Sequence, residues 1–472
     1  MTQANGGAPV AGDTADLKRG LTDADVEWRE LAADDDQFVV DGVRPGLVCA
    51  PMTVDGLASA VRAASAAGAA VVPWGGGTRM TLGLPPRAAD LVVQTTGLSE
   101  IVEYEPADLT VTVQAGMMLA DLQARLQAEG QMLALDPAAA DRATIGGLIA
   151  ANASGPQRFI YGTARDLVIG TRVVNADGIV SKAGGRVVKN VAGYDLNKLY
   201  VGSLGTVGVI VELSFKLHPL PQNQGMLLAA FASADDAAAA ISLLVRSPLG
   251  PAAICLLDAA AAADLPGSPT IAADGVLLVV AAVGFEKAIQ RQLADVTTMC
   301  SKASGTVAVR EGAGLDGVWS VLREFTDPSA AGIALLKLAV PPARSAVTLA
   351  TARAAAREAG FAPSLLAHAG SGIVYLKLLP ETWDADAIGW LDTLVTRLRG
   401  VVRGEGGSLV LEACPTAAKR GAAGTGEGAD VGIGTGIDPW GDVGSGFPVM
   451  KALKQNLDPQ GTLNPGRFVG GL

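Results

Sequence analysis

Pro73-Trp-Gly-Gly-Gly-Thr-Arg79 follows a short apolar run, Ala69–Val72, and decides how the first half of the chain is read. Three successive glycines at the end of a buried strand present bare backbone N–H groups, and such a turn can wrap a pyrophosphate without many cations. Tight turns also use glycine, so the run alone says little. A second block changes its weight. It opens at Thr144-Ile-Gly-Gly-Leu-Ile-Ala-Ala-Asn152 and continues through Ser154-Gly155 and Tyr161-Gly-Thr-Ala-Arg-Asp166. It closes at Gly202-Ser-Leu-Gly-Thr-Val-Gly-Val-Ile210. Glycines permit close approach, Thr and Asn offer hydrogen bonds, and Ile and Val can flank a flat ring. The spacing fits neither the Rossmann fingerprint nor a P-loop, so a different dinucleotide cradle is implied.

Around these blocks the chain reads as strand–helix–strand units. Thr53 is the expected N-cap of a helix carrying Leu57, Val61 and Ala64, with Gly68 as its stop. Leu109–Gln114 alternates as a strand, Leu119, Leu122 and Leu126 line a helix, and Gly130 ends it. Leu167–Val174 and Val207–Leu217 are further strands. Residues 1–37 read as a flexible lead-in with the acidic stretch Asp34–Asp36, and the first domain spans 38–221. The character changes at Pro219-Leu-Pro221. From 222 to 472 apolar strands (Ala252–Leu257, Val276–Val283, Gly332–Val340, Ile373–Leu378) alternate with alanine-rich helices (Asp235–Val245, Ala343–Ala359, Trp383–Arg399). The fold class is therefore α+β, the second domain being one antiparallel sheet with helices on one face. Residues 415–446 are rich in Gly, Ala and Asp and read as a mobile loop, followed by a helix, a turn and an anchored tail.

Composition narrows the function. Lys+Arg 36 against Asp+Glu 47 leaves a net charge of −11, which disfavours nucleic-acid binding. No apolar run reaches the roughly 18 residues of a membrane span. Met1–Gly20 has no apolar signal core, so the expected compartment is the cytoplasm. Cys49, Cys255, Cys300 and Cys414 show no CxxC spacing and read as reduced, buried thiols, with no iron–sulfur site. Gly312-Ala-Gly-Leu-Asp-Gly317 matches GxGxxG, but no acidic residue follows where a ribose would need one. Among 59 glycines it is read as a surface turn.

The combination of glycine blocks resembles the FAD-binding domain of vanillyl-alcohol-oxidase and p-cresol-methylhydroxylase (PCMH) type flavoproteins. Within that superfamily, Gly185-Arg-Val-Val-Lys-Asn-Val-Ala-Gly-Tyr-Asp-Leu-Asn-Lys198 and Leu457-Asp-Pro-Gln-Gly-Thr-Leu-Asn-Pro-Gly-Arg-Phe468 resemble the FAD-binding E subunit of bacterial glycolate oxidase. The resemblance runs from about Gln37 to the C-terminus. It implies a two-subdomain FAD-binding domain followed by an FAD-linked oxidase C-terminal domain of ferredoxin-like α+β type. It implies that Pro73, Gly75, Gly76, Gly77, Thr78 and Arg79 cradle the pyrophosphate. Thr144, Gly146, Gly147, Asn152, Ser154 and Gly155, with Gly205, Thr206, Val209 and Ile210, would hold the ribityl chain, adenine and flavin ring. Asp136, Arg165 and Asn464 join the implied cofactor-binding set. Thr78 stands after the glycines and neither His218 nor His368 lies in that loop, so non-covalent FAD is implied.

The second domain departs from its relatives. Related D-2-hydroxyacid dehydrogenases carry His-x-Gly-Asp-Gly-x-x-His and Gly-Gly-Ser-x-Ser-Gly-Glu-His-Gly, which supply metal ligands and a histidine base. Here the first reads His368-Ala-Gly-Ser-Gly-Ile-Val-Tyr375 and the second Gly406-Gly-Ser-Leu-Val-Leu-Glu-Ala-Cys414. Tyr375 and Ala413 replace histidines. Two remaining ligands do not make a divalent-metal site, and alanine cannot take a proton. No metal is expected and no catalytic residue is assigned. His368 and Glu412 read as remnants satisfied by local hydrogen bonds, and His218 as structural. Lys189 and Arg186 are a lesser alternative for a substrate carboxylate or an FAD phosphate.

The reading is an FAD-binding subunit of a glycolate oxidase or dehydrogenase complex, relaying electrons or scaffolding. Its partners would be a catalytic FAD subunit and an iron–sulfur subunit, with peripheral membrane contact through the complex left open. One alternative is a self-sufficient FAD oxidoreductase acting on another hydroxyacid or alcohol, assisted by Tyr375 or Tyr194. The other is a non-catalytic scaffold.

Overall fold

The computed structural model describes residues 14–186, 194–312, 314–420 and 436–472. Its first sheet has four strands in the order Trp28–Glu30, Leu47–Cys49, Leu91–Gln94, Val71–Trp74. The first pair is antiparallel and the other two are parallel. The parallel strands are connected through the helix Val54–Ala66, whose N-cap Thr53 accepts a hydrogen bond from the Gly56 N–H at 3.0 Å. That helix buries Leu57, Val61 and Ala64, the residues whose spacing announced it.

The second sheet is an antiparallel set of five, in the order Ile101–Glu105, Thr110–Gln114, Val209–Lys216, Val168–Val174, Val180–Gly184. Helix Leu119–Gln127 and the short helix Ile145–Ala150 share its core. The cleft described below lies where the two sheets meet.

The second domain is one antiparallel sheet of eight strands: Thr306–Glu311, Asn223–Phe231, Val276–Gly284, Ala253–Asp258, Pro363–His368, Ile373–Leu378, Ala334–Ala339, Ser408–Ala413. Successive side chains of a strand face opposite sides. Leu227, Ala229, Leu278 and Val280 therefore meet the long helices Ala234–Arg246, Glu286–Lys302, Ser345–Glu358 and Ala385–Gly404. Met226, Leu228, Leu277 and Val279 face the other way, where helix Leu315–Glu324 covers them. Helices thus cover both faces, not one, which is why the central strands read as unbroken apolar runs. All four cysteines are buried and free. Among the described residues no helix is long and apolar enough to cross a membrane.

Two stretches expected to be flexible are ordered in part. Thr14–Asp23 is a helix whose Leu17 and Leu21 pack into the first sheet's core, and Trp28–Glu30 is an edge strand. Two leucines one turn apart in a polar segment make too short a pattern to stand out. Of the expected loop 415–446, Thr416–Arg420 is helical and Ile437 is buried, while 421–435 lies outside the described residues. The helix is held by Lys419, 0% exposed, whose ammonium donates to Asp41 at 2.8 Å and to the Thr81 carbonyl.

After helix Phe447–Leu457 the chain returns to the first domain. Val71 N–H donates to the Thr462 carbonyl at 2.7 Å and Asn464 N–H to the Val71 carbonyl at 2.8 Å, so the tail extends the first sheet beside the glycine loop. Asp458 fixes this return. Its carboxylate accepts from Thr462 N–H and Leu463 N–H, both at 2.8 Å, and from the buried Lys454 ammonium at 2.5 Å. Lys454 also donates to the carbonyls of Thr206 and Leu463, tying together three segments around the cleft.

Breaking one half of a buried pair leaves an uncompensated charge. Lys419→Met should lower stability by about 3–5 kcal/mol, and Asp458→Ala by a similar amount, read as a fall in the thermal unfolding midpoint. An unchanged midpoint in either variant would contradict a docking role for these buried pairs.

Candidate functional site

The strand Val71–Trp74 ends in Gly75–Gly77, and this loop lies against the backbone of residues 142–143 and the side chain of Thr144. A Cβ on Gly76 would sit 1.7 Å from the Arg142 carbonyl oxygen, and one on Gly75 would sit 2.1 Å from the Thr144 hydroxyl. Gly77 has φ +72°, the left-handed region that favours glycine. Among the described residues the N–H groups of Gly75, Gly76 and Gly77 find no hydrogen-bond partner. They edge an open cleft.

The cleft gathers most of the expected residues. Pro73, Gly75, Gly76, Gly77, Thr78 and Arg79 line one side; Thr144, Gly146 and Gly147, then Gly205, Val209 and Ile210, line others, and Asn464 arrives on the tail. Sequence reasoning missed Trp74, Met80, Thr95, Leu204 and Arg467. Arg467 was within the quoted tail motif, but nothing local indicated that it returns to the first domain.

Six expected residues do not line the cleft. Arg165 is exposed, on the outer side of a short helix whose Ala164 and Leu167 are buried. Asp136 is buried behind the cleft and accepts from the Gln157 N–H at 3.0 Å; burial raises its carboxyl to about 7. Gly155 lies so close that a Cβ would be 1.8 Å from the Asp136 carbonyl oxygen, and Ser154 is buried beside it. Those three shape the bend that delivers Phe159 against Gly370 of the second domain. Thr206 is buried and donates to the Ser203 carbonyl at 2.7 Å. Asn152 adopts φ +50° and adjoins the lining residue Ala151.

Several buried polar atoms near the cleft lack a protein partner: Asn152 Oδ1, Ser203 Oγ, Asn464 Oδ1, and Nε and Nη1 of Arg467. Buried polar groups are nearly always hydrogen-bonded, so this concentration marks where a polar ligand belongs. The Arg467 guanidinium is half-satisfied, donating from Nη2 to the Met80 and Leu82 carbonyls at 2.7 and 2.6 Å. Bare N–H groups, unpaired side-chain acceptors and donors, and the apolar Val209 and Ile210 together fit FAD.

Beyond Arg79 the cleft meets the second domain. Glu412, on strand Ser408–Ala413, accepts from Arg79 Nη1 at 3.1 Å and from Lys337 Nζ at 2.7 Å. Burial would raise its carboxyl, but Lys337 and Arg79 outweigh that and hold it down at about 2. Glu412 is thus an ion-pair partner, as its reading as a satisfied remnant expected. His368 is not. It is 1% exposed, neither ring nitrogen finds a partner, and its ring meets Tyr375 edge-on at 5.3 Å. Burial, with Arg158 and Lys337 nearby, lowers its pKa to about 3, so it is neutral. Among the described residues no three His, Cys, Asp or Glu side chains converge on a point.

The other candidates lie elsewhere. Tyr194 is 97% exposed. His218 packs at a tilt against Tyr161, their ring centroids 5.0 Å apart. Arg186 pairs with Glu103 at the surface, and Lys189, like half of the motif at 185–198, lies outside the described residues. Gly312 and Gly314 have φ +75° and +101° ahead of helix Leu315–Glu324 and do not line the cleft.

Comparison with known proteins agrees with this architecture. Residues 45–184 match the FAD binding domain, and residues 220–412 and 439–468 match the C-terminal domain of FAD linked oxidases. Glycolate oxidase subunit GlcD of Bacillus subtilis is 29% identical over 439 residues, covering 90% of this chain and 89% of that one. Glycolate oxidase subunit GlcE of Escherichia coli is 39% identical over 159 residues, covering 34% of this chain and 45% of that one. The crystal structure of p-cresol methylhydroxylase superposes with a TM-score of 0.71 at 16% identity, over 96% of this chain and 95% of that one, a likeness of fold. The chain belongs to the FAD-linked oxidoreductases that join a PCMH-type FAD-binding domain to an FAD-linked oxidase C-terminal domain.

Proposed function

We propose that this chain is an FAD-binding subunit of a glycolate oxidase or dehydrogenase assembly, and that it relays electrons or holds the assembly together rather than oxidising glycolate itself. The observation that carries this reading is the state of Glu412. Its carboxylate is enclosed by Arg79 and Lys337, and beside it stand a buried neutral His368 and, at position 413, an alanine. Oxidising a 2-hydroxyacid requires a group that removes the hydroxyl proton as hydride departs. Glu412 is engaged by two cations, His368 is buried and a weak base, and alanine takes no proton.

In this reading the glycine loop holds the pyrophosphate, Arg79 stands at the loop's far end with its guanidinium paired to Glu412, and Thr144, Gly146, Gly147 and Gly205 approach the sugar chain. Val209 and Ile210 flank the ring, while Asn464 and Arg467 close the cleft from the tail. Bound FAD accepts electrons in pairs and can release them singly, which suits a carrier between a hydroxyacid site and a one-electron acceptor. The protein's part is to bind, orient and tune the cofactor and to keep water from its inner edge. A catalytic FAD subunit and an iron–sulfur subunit are the proposed partners.

The end-to-end likeness to GlcD favours a second reading, in which the chain oxidises a hydroxyacid unaided. An anaerobic spectrum distinguishes the two. The flavin band of the purified chain should persist on adding glycolate and bleach only when the catalytic partner is added. Bleaching by the chain alone establishes the second reading and overturns the first. Gly76→Ala should weaken FAD binding at least about tenfold, an effect of ~1.4 kcal/mol or more, because the new Cβ forces the loop off Arg142. Titration with FAD, followed by flavin fluorescence, checks this; unchanged affinity would remove the glycine loop from the site.

A further inference from the structure

Arg79, Glu412 and Lys337 form a chain of charges that begins at the cleft and ends inside the second domain. Arg79 lines the cleft and leaves the first domain to meet Glu412 at 3.1 Å, their side chains each 10% exposed. The other carboxylate oxygen takes Lys337 at 2.7 Å. Lys337 stands on strand Ala334–Ala339, directly opposite Tyr375 in the ladder, with its ammonium 5.9 Å from that ring. Two cations therefore share one carboxylate, in a setting where little water screens them. Charges so placed act over longer distances than at the surface.

We propose that this chain of charges sets the reduction potential of FAD bound in the cleft. Arg79 supplies a positive field that favours the electron-rich reduced cofactor. Glu412 attenuates that field, and Lys337 in turn partly neutralises Glu412. Glu412 and Lys337 are positioning and charge-setting residues, since neither lines the cleft. The proposal rests on FAD occupying this cleft but not on which substrate or partner delivers the electrons. The arrangement also makes the potential depend on how the two domains meet, because the carboxylate and the guanidinium come from different ones.

The sign of the effect separates this from simple structural support. Glu412→Gln removes the attenuating charge and should raise the potential of bound FAD. Lys337→Gln releases the full charge of Glu412 and should lower it. Each shift is expected to be about tenfold in the reduction equilibrium, ~30 mV for a two-electron couple. Lys337→Arg keeps the charge and should stay near the wild-type value. Reductive titration of the FAD-loaded chain against a reference dye, with FAD affinity measured on the same samples, reads all of this. Opposite shifts in the two glutamine variants support the proposal. Shifts of the same sign, or none, overturn it alone. A wild-type chain that takes up no FAD overturns it together with the assignment of the cleft. If Glu412→Gln does not retain the cofactor, Lys337→Gln and Lys337→Arg decide the matter by the same signs.

Discussion

The close approach of a loop without side chains to residues 142–144 is the constraint on which the first domain depends. Gly75 and Gly76 let the end of strand Val71–Trp74 lie directly on residues 142–144, which open the second sheet's short helix. That contact joins the two sheets and leaves a trough along the seam. A side chain at either glycine would separate the sheets and fill the trough at the same time. Thr144 uses the same hydroxyl to cap its own helix, receiving the Gly147 N–H at 3.3 Å, so helix start and loop floor are one structure.

The rest of the molecule holds this seam in place with buried charges. Lys419 with Asp41, and Arg79 and Lys337 with Glu412, join segments distant in sequence, while Lys454, paired with Asp458 one turn away, reaches the distant Thr206 carbonyl. Isolated buried charges are costly, and pairs recover that cost only when their geometry is good and further hydrogen bonds complete it. Lys454 meets this condition with two carbonyl partners besides its carboxylate. Such pairs add little stability over an apolar core, but they specify which segment docks where. At the domain junction Arg142 with Asp327 at 2.8 Å, and Ala139 N–H with Glu324 at 3.0 Å, serve the same purpose nearer the surface.

Much of the cleft was legible in the sequence because its floor is local. Gly75–Gly77 and Thr144–Gly147 are short motifs whose conformational needs are written in the residues themselves. The strands of the second domain were equally legible from their apolar runs. Arg165 lies off the cleft lining, because position within a motif does not say which way a side chain points on a one-turn helix. Asp136, Ser154 and Gly155 lie off it for a different reason. They do shape the region, but through contacts with one another rather than with the cleft. Leu17 and Leu21 were passed over because two apolar residues carry too little periodicity to be seen.

The sequence by itself determined that a glycine-walled nucleotide cradle exists, that positions 375 and 413 hold no histidine, and that an antiparallel α+β domain follows. These are matters of residue type and near-neighbour spacing, which chain chemistry settles locally. Only the tertiary structure decided that the tail containing Asn464 and Arg467 completes the cleft, and that Glu412 faces Arg79 from 333 residues away. Those contacts depend on strand order in the eight-stranded sheet and on how it docks against the first domain. No local periodicity encodes that docking; it emerges from the burial of whole faces and the pairing of distant charges.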